Sequence, residues 1–373
     1  MTTMAYETAV SVPRSRDGFA TQAGIRQEVR FCSLEDGSRI AYASLGKGPP
    51  LVMVPGWLSH LEELWKHPWA SATRNRLCRD NRLIWYDRLG CGLSDRGSLR
   101  HSLEHDVAEL KAVLDAAGIT RCTLFGYSLC GPVAAAFAAR HPERVHRLVL
   151  CSTFARGSAV TDPEQINALR HLVRANWDLG SRTLASMLLP NGSSEDLHWF
   201  SCLQRLAAYS DVAEQFLDHV WNLDVRDLLP EIRVPTLVVH SRHDPAVPVT
   251  AAEEIAALLP DACLEILEGN EHDPLIRGSR YLVERVLAFV HGQPPESCSE
   301  SHPNGNALTR REQEVLKLIA RGAPNKVISS TLGIAVSTVE RHVTNIYGKL
   351  DVCGRANAAM RAVKMGLVPP DTF

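Results

Sequence analysis

The sequence predicts an α/β domain followed by a small all-α domain, and three observations lead there. Short continuous apolar runs alternate with helical patterns over most of the chain. A purely helical stretch at 155–230 interrupts that rhythm. A segment rich in Pro, Ser, Gly and Asn, "HGQPPESCSESHPNGNA" (291–307), then separates everything before it from a tail whose pattern is helical throughout. At 373 residues the chain accommodates one large domain and one small one.

Taken in order, residues 1–25 are polar and aperiodic and read as a loose arm. "IRQEVRFCSLEDGSRIAYASLG" (25–46) reads as two strands joined by a turn at Asp36-Gly37. The runs "LVMV" (51–54), "LIWY" (83–86), "CTLFGY" (122–127), "RLVLCS" (147–152), "TLVVHS" (236–241) and "CLEILE" (263–268) follow, with helical patterns such as 103–117 and 132–140 between them. Strands apolar on both sides imply a parallel sheet covered by helices on both faces. The stretch 155–230 carries Trp177, Trp199, Phe216 and Trp221 and is expected to lie as a helical cap over one end of the sheet. The boundaries expected are 26–291 for the α/β domain, 292–306 for a linker and 307–373 for the helical domain.

Charge divides along the same line. From Ala307 onward there are ten Lys/Arg and five Asp/Glu, a net +5, whereas the remainder carries 30 basic and 37 acidic residues, a net −7. A basic tail on an acidic body suggests a polyanionic partner for the tail alone. The ten cysteines form no CxxC pair and scatter through apolar or mixed segments, which reads as reduced, mostly buried thiols. No apolar run approaches the ~20 residues that span a bilayer, and no secretion signal is read at the N-terminus. A cytoplasmic protein without membrane attachment is expected.

The stretch "LFGYSLCGPVAAAFAARHPERV" (124–145) raises the chemistry. An apolar strand ends at Gly126-Tyr127-Ser128 and runs directly into a helix, which would present the Ser128 hydroxyl at a helix N-terminus. A serine nucleophile needs a base, and the base needs an orienting carboxylate. Asp244 follows one apolar strand in "LVVHSRHDPAVP", and His272 follows the next in "LEILEGNEHDPL". Both stand at strand C-terminal ends, where open α/β sheets place their sites. His240 and His243 are weaker candidates for the base. Two backbone N–H groups are needed for an oxyanion, and those of Leu129 and of Trp57, after Pro55-Gly56, are assigned. His60 reads either as a pocket residue or as a structural surface histidine. No cofactor or metal is expected, since the histidines lack ligand spacing and no HExxH occurs.

The serine corner resembles the nucleophile elbow of the α/β-hydrolase fold, with Cys130 where the last glycine of GxSxG is usual. "YDRLGCGLSD" (86–95) resembles that family's D-x-R-G-x-G-x-S turn and reads as scaffolding. The order Ser, acid, His is also the family's. The resemblance spans about 26–291 and implies acyl transfer to water from an ester, lactone or amide.

In the tail, Thr309-x-x-Glu312 is a capping box followed by an apolar face of Val315, Leu318 and Ile319. A second short helix holds Val327, Ile328 and Leu332, and Gly333 permits a tight turn. Ser337-x-x-Glu340 opens a third helix with Val339, Val343, Ile346 and Leu350 on one stripe. Two short helices joined at a glycine turn make a helix-turn-helix. The pieces "LTRREQEVL", "ARG", "NKVIS", "STVERHVTNIYGKL" and "GLV" resemble the DNA-binding domain of LuxR-type regulators. That resemblance implies that the third helix enters the major groove of double-stranded DNA. It places Glu340, Arg341 and Thr344 near bases and Lys326, Thr338 and Lys349 on phosphates. Glu340 departs from the basic residue common there and could instead serve the Ser337 cap. The last helix, in "VCGRANAAMRAVKMGLV", is expected to pair two copies into a homodimer.

The preferred function is a DNA-binding transcription regulator with a small-molecule-sensing, catalytically capable hydrolase domain. Two alternatives stay open. One is a cytosolic serine hydrolase whose tail, a helical docking module, serves assembly. The other is a binding-only sensor with an inactive triad.

Overall fold

The computed structural model describes residues 27–96, 101–273, 280–293 and 308–368, apart from 337, 340, 341, 344, 345, 347–349 and 351–354. The expected arm and nearly all of the expected linker lie outside these residues. Each apolar run forms a strand: β1 (Glu28–Ser33), β2 (Arg39–Leu45), β3 (Pro50–Val54), β4 (Arg82–Tyr86), β5 (Cys122–Tyr127), β6 (Val145–Cys151), β7 (Thr236–Ser241) and β8 (Ala262–Leu267). They build one eight-stranded sheet in the order β1-β2-β4-β3-β5-β6-β7-β8. The parallel sheet expected from the sequence holds from β4 across to β8. The first two strands pair antiparallel across the expected turn at Asp36-Gly37, where the Asp36 carboxylate accepts from the Ser38 N–H at 2.9 Å, and β2 is antiparallel to β4 as well.

Helices cover both faces, and strand periodicity sorts the core. On one face Val52, Val54, Leu124, Leu148, Leu150 and Val238 meet α3 (Leu103–Ala116), α4 (Gly131–Arg140) and α9 (Val249–Leu258). On the other, Leu51, Phe125, Val149, Leu237 and Val239 meet α1 (Leu61–Lys66), α2 (Pro68–Leu77) and α10 (Arg280–Val290). Alternate residues of one strand thus belong to two cores, which is why these strands read as unbroken apolar runs.

Between β6 and β7 the chain forms α5 (Pro163–Ala175), α6 (Trp177–Leu188), α7 (Ser194–Ala207) and α8 (Ser210–Asn222). Each of the first three starts on a side-chain cap, from Asp162, Asn176 and Ser193. Their apolar faces pack into a core of their own around Leu184, Phe200, Leu203 and Phe216, joined by Trp57 and Leu58 from the sheet's rim.

The turn after β4 is a buried polar knot. The Asp87 carboxylate accepts from the Ser59 hydroxyl (2.8 Å) and from the N–H groups of Leu61 (3.1 Å) and Leu93 (2.9 Å). Ser94 donates to the Asp87 carbonyl at 2.5 Å. Arg88 donates to Asp106 at 2.6 Å, Asp106 lies 2.7 Å from His219 Nε2, and the Arg88 guanidinium covers the Phe216 ring at 4.3 Å. This knot joins α3 and α8 to the turn. Burial works against the Asp106 charge, yet Arg88 beside it holds the carboxyl below its ordinary value. Glu109, one turn further along α3, accepts from the Leu89 N–H at 3.4 Å and lies 3.7 Å from His105 Nε2, yet burial pushes it up to about 8 from 4.5.

The C-terminal helices form a separate core of Leu308, Val315, Leu316, Ile319, Ile328, Val339, Ile346 and Ala358. The Thr309–Glu312 capping box is present at the start of α11 (Arg310–Ala320). α12 (Asn325–Leu332) ends on Gly333 in the left-handed region at φ 66. Val327 is exposed, while Ile328 and Leu332 occupy the inner face of this short helix. Residues 336, 338, 339, 342, 343, 346 and 350 are helical, with Val343 and Leu350 against the core. Arg355, opening α13 (Arg355–Lys364), donates to the Ala323 carbonyl and to Asn325 Oδ1, tying that helix to the turn before α12. The Ser337–Glu340 capping box lies outside the described residues.

Glu109 carries a pH dependence. Its folded carboxyl keeps its proton up to about 8, whereas the unfolded one ionises near 4.5. Stability attributable to it therefore falls as pH rises between those values, by on the order of a few kcal/mol. Urea unfolding of the intact chain from pH 4 to 8.5 is expected to show this loss, and Glu109→Gln is expected to flatten it.

Candidate active site

The site grows from the strand-to-helix corner after β5. Ser128 sits in the left-handed region at φ 48, a conformation that costs a non-glycine residue roughly 1–3 kcal/mol. Two glycines let the strand and helix approach closely enough to enforce it. A Cβ on Gly126 would stand 2.6 Å from the Ala134 Cβ, and one on Gly131 would stand 2.0 Å from the Thr153 Oγ1. That explains the departure at Cys130. The crowded position is the next one, Gly131, while the buried Cys130 Sγ accepts from Arg88 Nη1 at 3.3 Å. Thr153 itself donates from Oγ1 to the Ser128 carbonyl at 2.6 Å and braces the corner. Ser152, before it, is a second left-handed residue at φ 48. Neither was legible in the sequence, because a threonine after a strand carries no spacing signal.

Asp244 and His272 arrive at the same rim from the ends of β7 and β8. His272 Nε2 lies 2.8 Å from Ser128 Oγ, and its Nδ1 lies 2.8 Å from Asp244 Oδ2. An ionised carboxylate only accepts, so Nδ1 carries the proton and Nε2 is left to accept from the serine hydroxyl. Asp244 Oδ1 accepts from the N–H groups of Ala246 (2.8 Å) and Val247 (3.2 Å), which fixes its plane. All three side chains are buried.

Of the weaker histidines, His240 stands beside the acid, its Nε2 3.6 Å from Asp244 Oδ2, but it is His272 that meets Ser128. His243 is exposed. His240 donates from Nε2 to the Val247 carbonyl at 2.9 Å, and burial lowers its affinity for a second proton. His60 precedes α1, half-buried, and does not line the cavity beside Ser128.

That cavity encloses about 120 Å³ and is lined by Gly56, Trp57, Ser128 and His272 together with Leu188, Leu189 and Phe200 of the inserted helices. The insertion therefore closes over the serine, as a cap would. Its tryptophans do not face the cavity: Trp177, Trp199 and Trp221 pack against the insertion's own core. Leu129 stands at the start of a helix, where N–H groups lack intrahelical acceptors. The Trp57 N–H has no acceptor among the described residues. The Trp57 indole donates to Gln204 Oε1 at 2.8 Å. Three further polar side chains in the cavity wall, Thr73, Arg74 and Asp273, were not singled out in the sequence.

Of the residues assigned to DNA, Lys326 is exposed on α12 and Thr338 is half-buried after the Gly333 turn. Glu340, Arg341, Thr344 and Lys349 lie outside the described residues.

Comparison with known proteins matches both parts. Residues 49–279 match the family described as alpha/beta hydrolase fold, and residues 306–362 match that of bacterial regulatory proteins, luxR family. The chain is 26% identical over 265 residues to a pyrrolizixenacetamide deacetylase of Xenorhabdus hominickii, an alignment covering 68% of this chain and 92% of that one. Over 92 residues it is 50% identical to the transcriptional regulatory protein LiaR of Bacillus subtilis (strain 168), covering 25% of this chain and 43% of LiaR. The fold superposes on the esterase EaEST of Exiguobacterium antarcticum with a TM-score of 0.64 and 23% identity, covering 70% of this chain and 98% of the esterase. No helix among the described residues is long and apolar enough to cross a membrane. The chain belongs to the alpha/beta hydrolase fold family and carries, on the same polypeptide, a DNA-binding domain of the luxR family of bacterial regulatory proteins.

Proposed function

We propose that the protein is a transcription regulator whose hydrolase domain binds and cleaves a small ester, lactone or amide, and that occupancy of this domain alters DNA binding by the tail. The observation that carries the reading is the unbroken Ser128–His272–Asp244 relay, 2.8 Å at each link, opening on a cavity in a chain that also carries a luxR-family domain. Ser128 Oγ attacks the carbonyl carbon while His272 Nε2 takes the hydroxyl proton, and Asp244 stabilises the imidazolium. The N–H groups of Trp57 and Leu129 hold the oxyanion. As the C–O or C–N bond breaks, His272 returns the proton to the leaving group. Water, deprotonated by His272, then releases the acid and frees Ser128.

On the DNA side, Lys326, Thr338 and Lys349 contact phosphates, while Arg341 and Thr344, with Glu340, face the bases. Two copies pair to read half-sites about one helical turn apart. A coupling of ~1–3 kcal/mol between the sites is enough for a useful response. Because a cleaved ligand leaves, a hydrolysing sensor resets itself.

A fluorophosphonate probe is expected to label Ser128 in the intact chain. His272→Ala is expected to slow labelling roughly a thousandfold. Failure to label Ser128 favours the binding-only sensor. In gel-shift titrations with genomic fragments, the intact chain is expected to bind, with affinity falling steeply as salt rises, and the chain lacking residues 307–373 is expected not to bind. Ser128→Ala is expected to leave DNA binding ligand-responsive but to make the response persist. A response that decays as in the unmodified protein removes hydrolysis from the mechanism.

A further inference from the structure

We propose that the cavity beside Ser128 is built for a short acyl group ending in a carboxylate, which Arg74 grips; this rests on the hydrolase reading above. Arg74, on α2, lines the same cavity as Ser128 and His272. Its guanidinium is held in place. Nη1 donates to the carbonyls of Ala70 (3.2 Å) and Leu64 (3.5 Å), and Cζ stands 5.9 Å from the centre of the Trp85 ring. Nε and Nη2 have no acceptor among the described residues. An arginine fork presents its N–H groups in the planar geometry that matches a carboxylate.

Three other arginines of the α/β domain pair with carboxylates. Arg88 pairs with Asp106 at 2.6 Å, Arg76 with Glu284 at 2.6 Å and Arg285 with Glu265 at 2.8 Å. Arg74 has no such ion pair among the described residues. Burial pulls its guanidinium down to about 10, with the Asp273 charge working the other way, so it remains a cation at neutral pH. The one carboxylate acting on Arg74 is Asp273 in the same wall, with no ion pair within 4 Å among the described residues, so the guanidinium can still take an anionic ligand.

The rest of the wall sets what lies between the cation and the serine. Met53, Leu64, Leu77, Phe125 and Leu189 suit methylenes. Asp273 is the group that could oppose an anion. It lies close enough to Tyr127 that its charge, after burial, helps push the phenol well above its ordinary value, and it has partners of its own. The cavity, about 120 Å³ and partly open, is of the order of the ~150 Å³ that holds benzene, so it suits a short acyl group rather than a long chain. A succinyl-sized group fits that description. The substrate class is then the half-esters or half-amides of short dicarboxylic acids. A neutral acyl group of the same length leaves the Arg74 fork desolvated and unmatched, which is how such a site rejects it.

The experiment compares monomethyl succinate with methyl butyrate, which differs by a methyl in place of the carboxylate. With the intact chain at pH 7, kcat/KM is expected to favour monomethyl succinate at least tenfold. Arg74→Met is expected to bring the ratio near one, and Arg74→Lys to retain part of it. A ratio near one in the unmodified protein, or a ratio unchanged in a folded Arg74→Met variant, overturns the proposal. Calorimetric titration of the intact Ser128→Ala chain with both esters gives a readout independent of turnover. Binding at least tenfold tighter for monomethyl succinate supports the carboxylate site even if neither ester is hydrolysed, in which case the hydrolase reading alone fails. Equal binding, or binding of neither, overturns the proposal.

Discussion

The geometry of this protein depends on how closely β5 and α4 approach at residue 128. The left-handed backbone there is unfavourable by itself and persists because its surroundings over-determine it. Gly126 lies against Ala134, Gly131 lies against Thr153, and Thr153 donates a 2.6 Å hydrogen bond to the Ser128 carbonyl. From that one corner the hydroxyl is aimed at His272, and the first turn of α4 presents its N–H groups alongside. The sheet order brings β7 next to β6 and β8 next to β7, so the loops bearing Asp244 and His272 reach the same rim.

How much of this was legible follows from which signals are local. The strands from β3 to β7 were readable because each is largely apolar on both sides, and the reversal at Asp36-Gly37 because turn chemistry is local. Ser128, Asp244 and His272 could be nominated because each stands where a strand ends. Their convergence is a property of the sheet order, which the sequence does not display. Cys130 illustrates the limit: its sequence reads as a flaw in a glycine pattern, whereas the fold moves the crowded position to Gly131. Arg74 was invisible for another reason. In "SATRNRL" it is one of several polar residues on a weakly amphipathic helix, and nothing local separates it from Arg76, which pairs with Glu284.

The two parts of the chain divide their physics. The body, net −7, is organised around buried polar groups with specific partners, such as the Arg88–Asp106–His219 knot. The tail, net +5, has a small core and keeps Lys326 in water. An acidic body repels the phosphates that a basic tail attracts, so the charge asymmetry itself directs a polyanion towards the tail.

Trp57 occupies an unusual mechanical position. Its main chain borders the nucleophile, while its indole is held by Gln204 of α7, which in turn donates to the Ser181 carbonyl at 2.9 Å. If α7 swings outward to admit a molecule, the indole must either follow or surrender a buried hydrogen bond. Opening the roof would therefore tug at the residue whose amide is proposed to receive the negative charge.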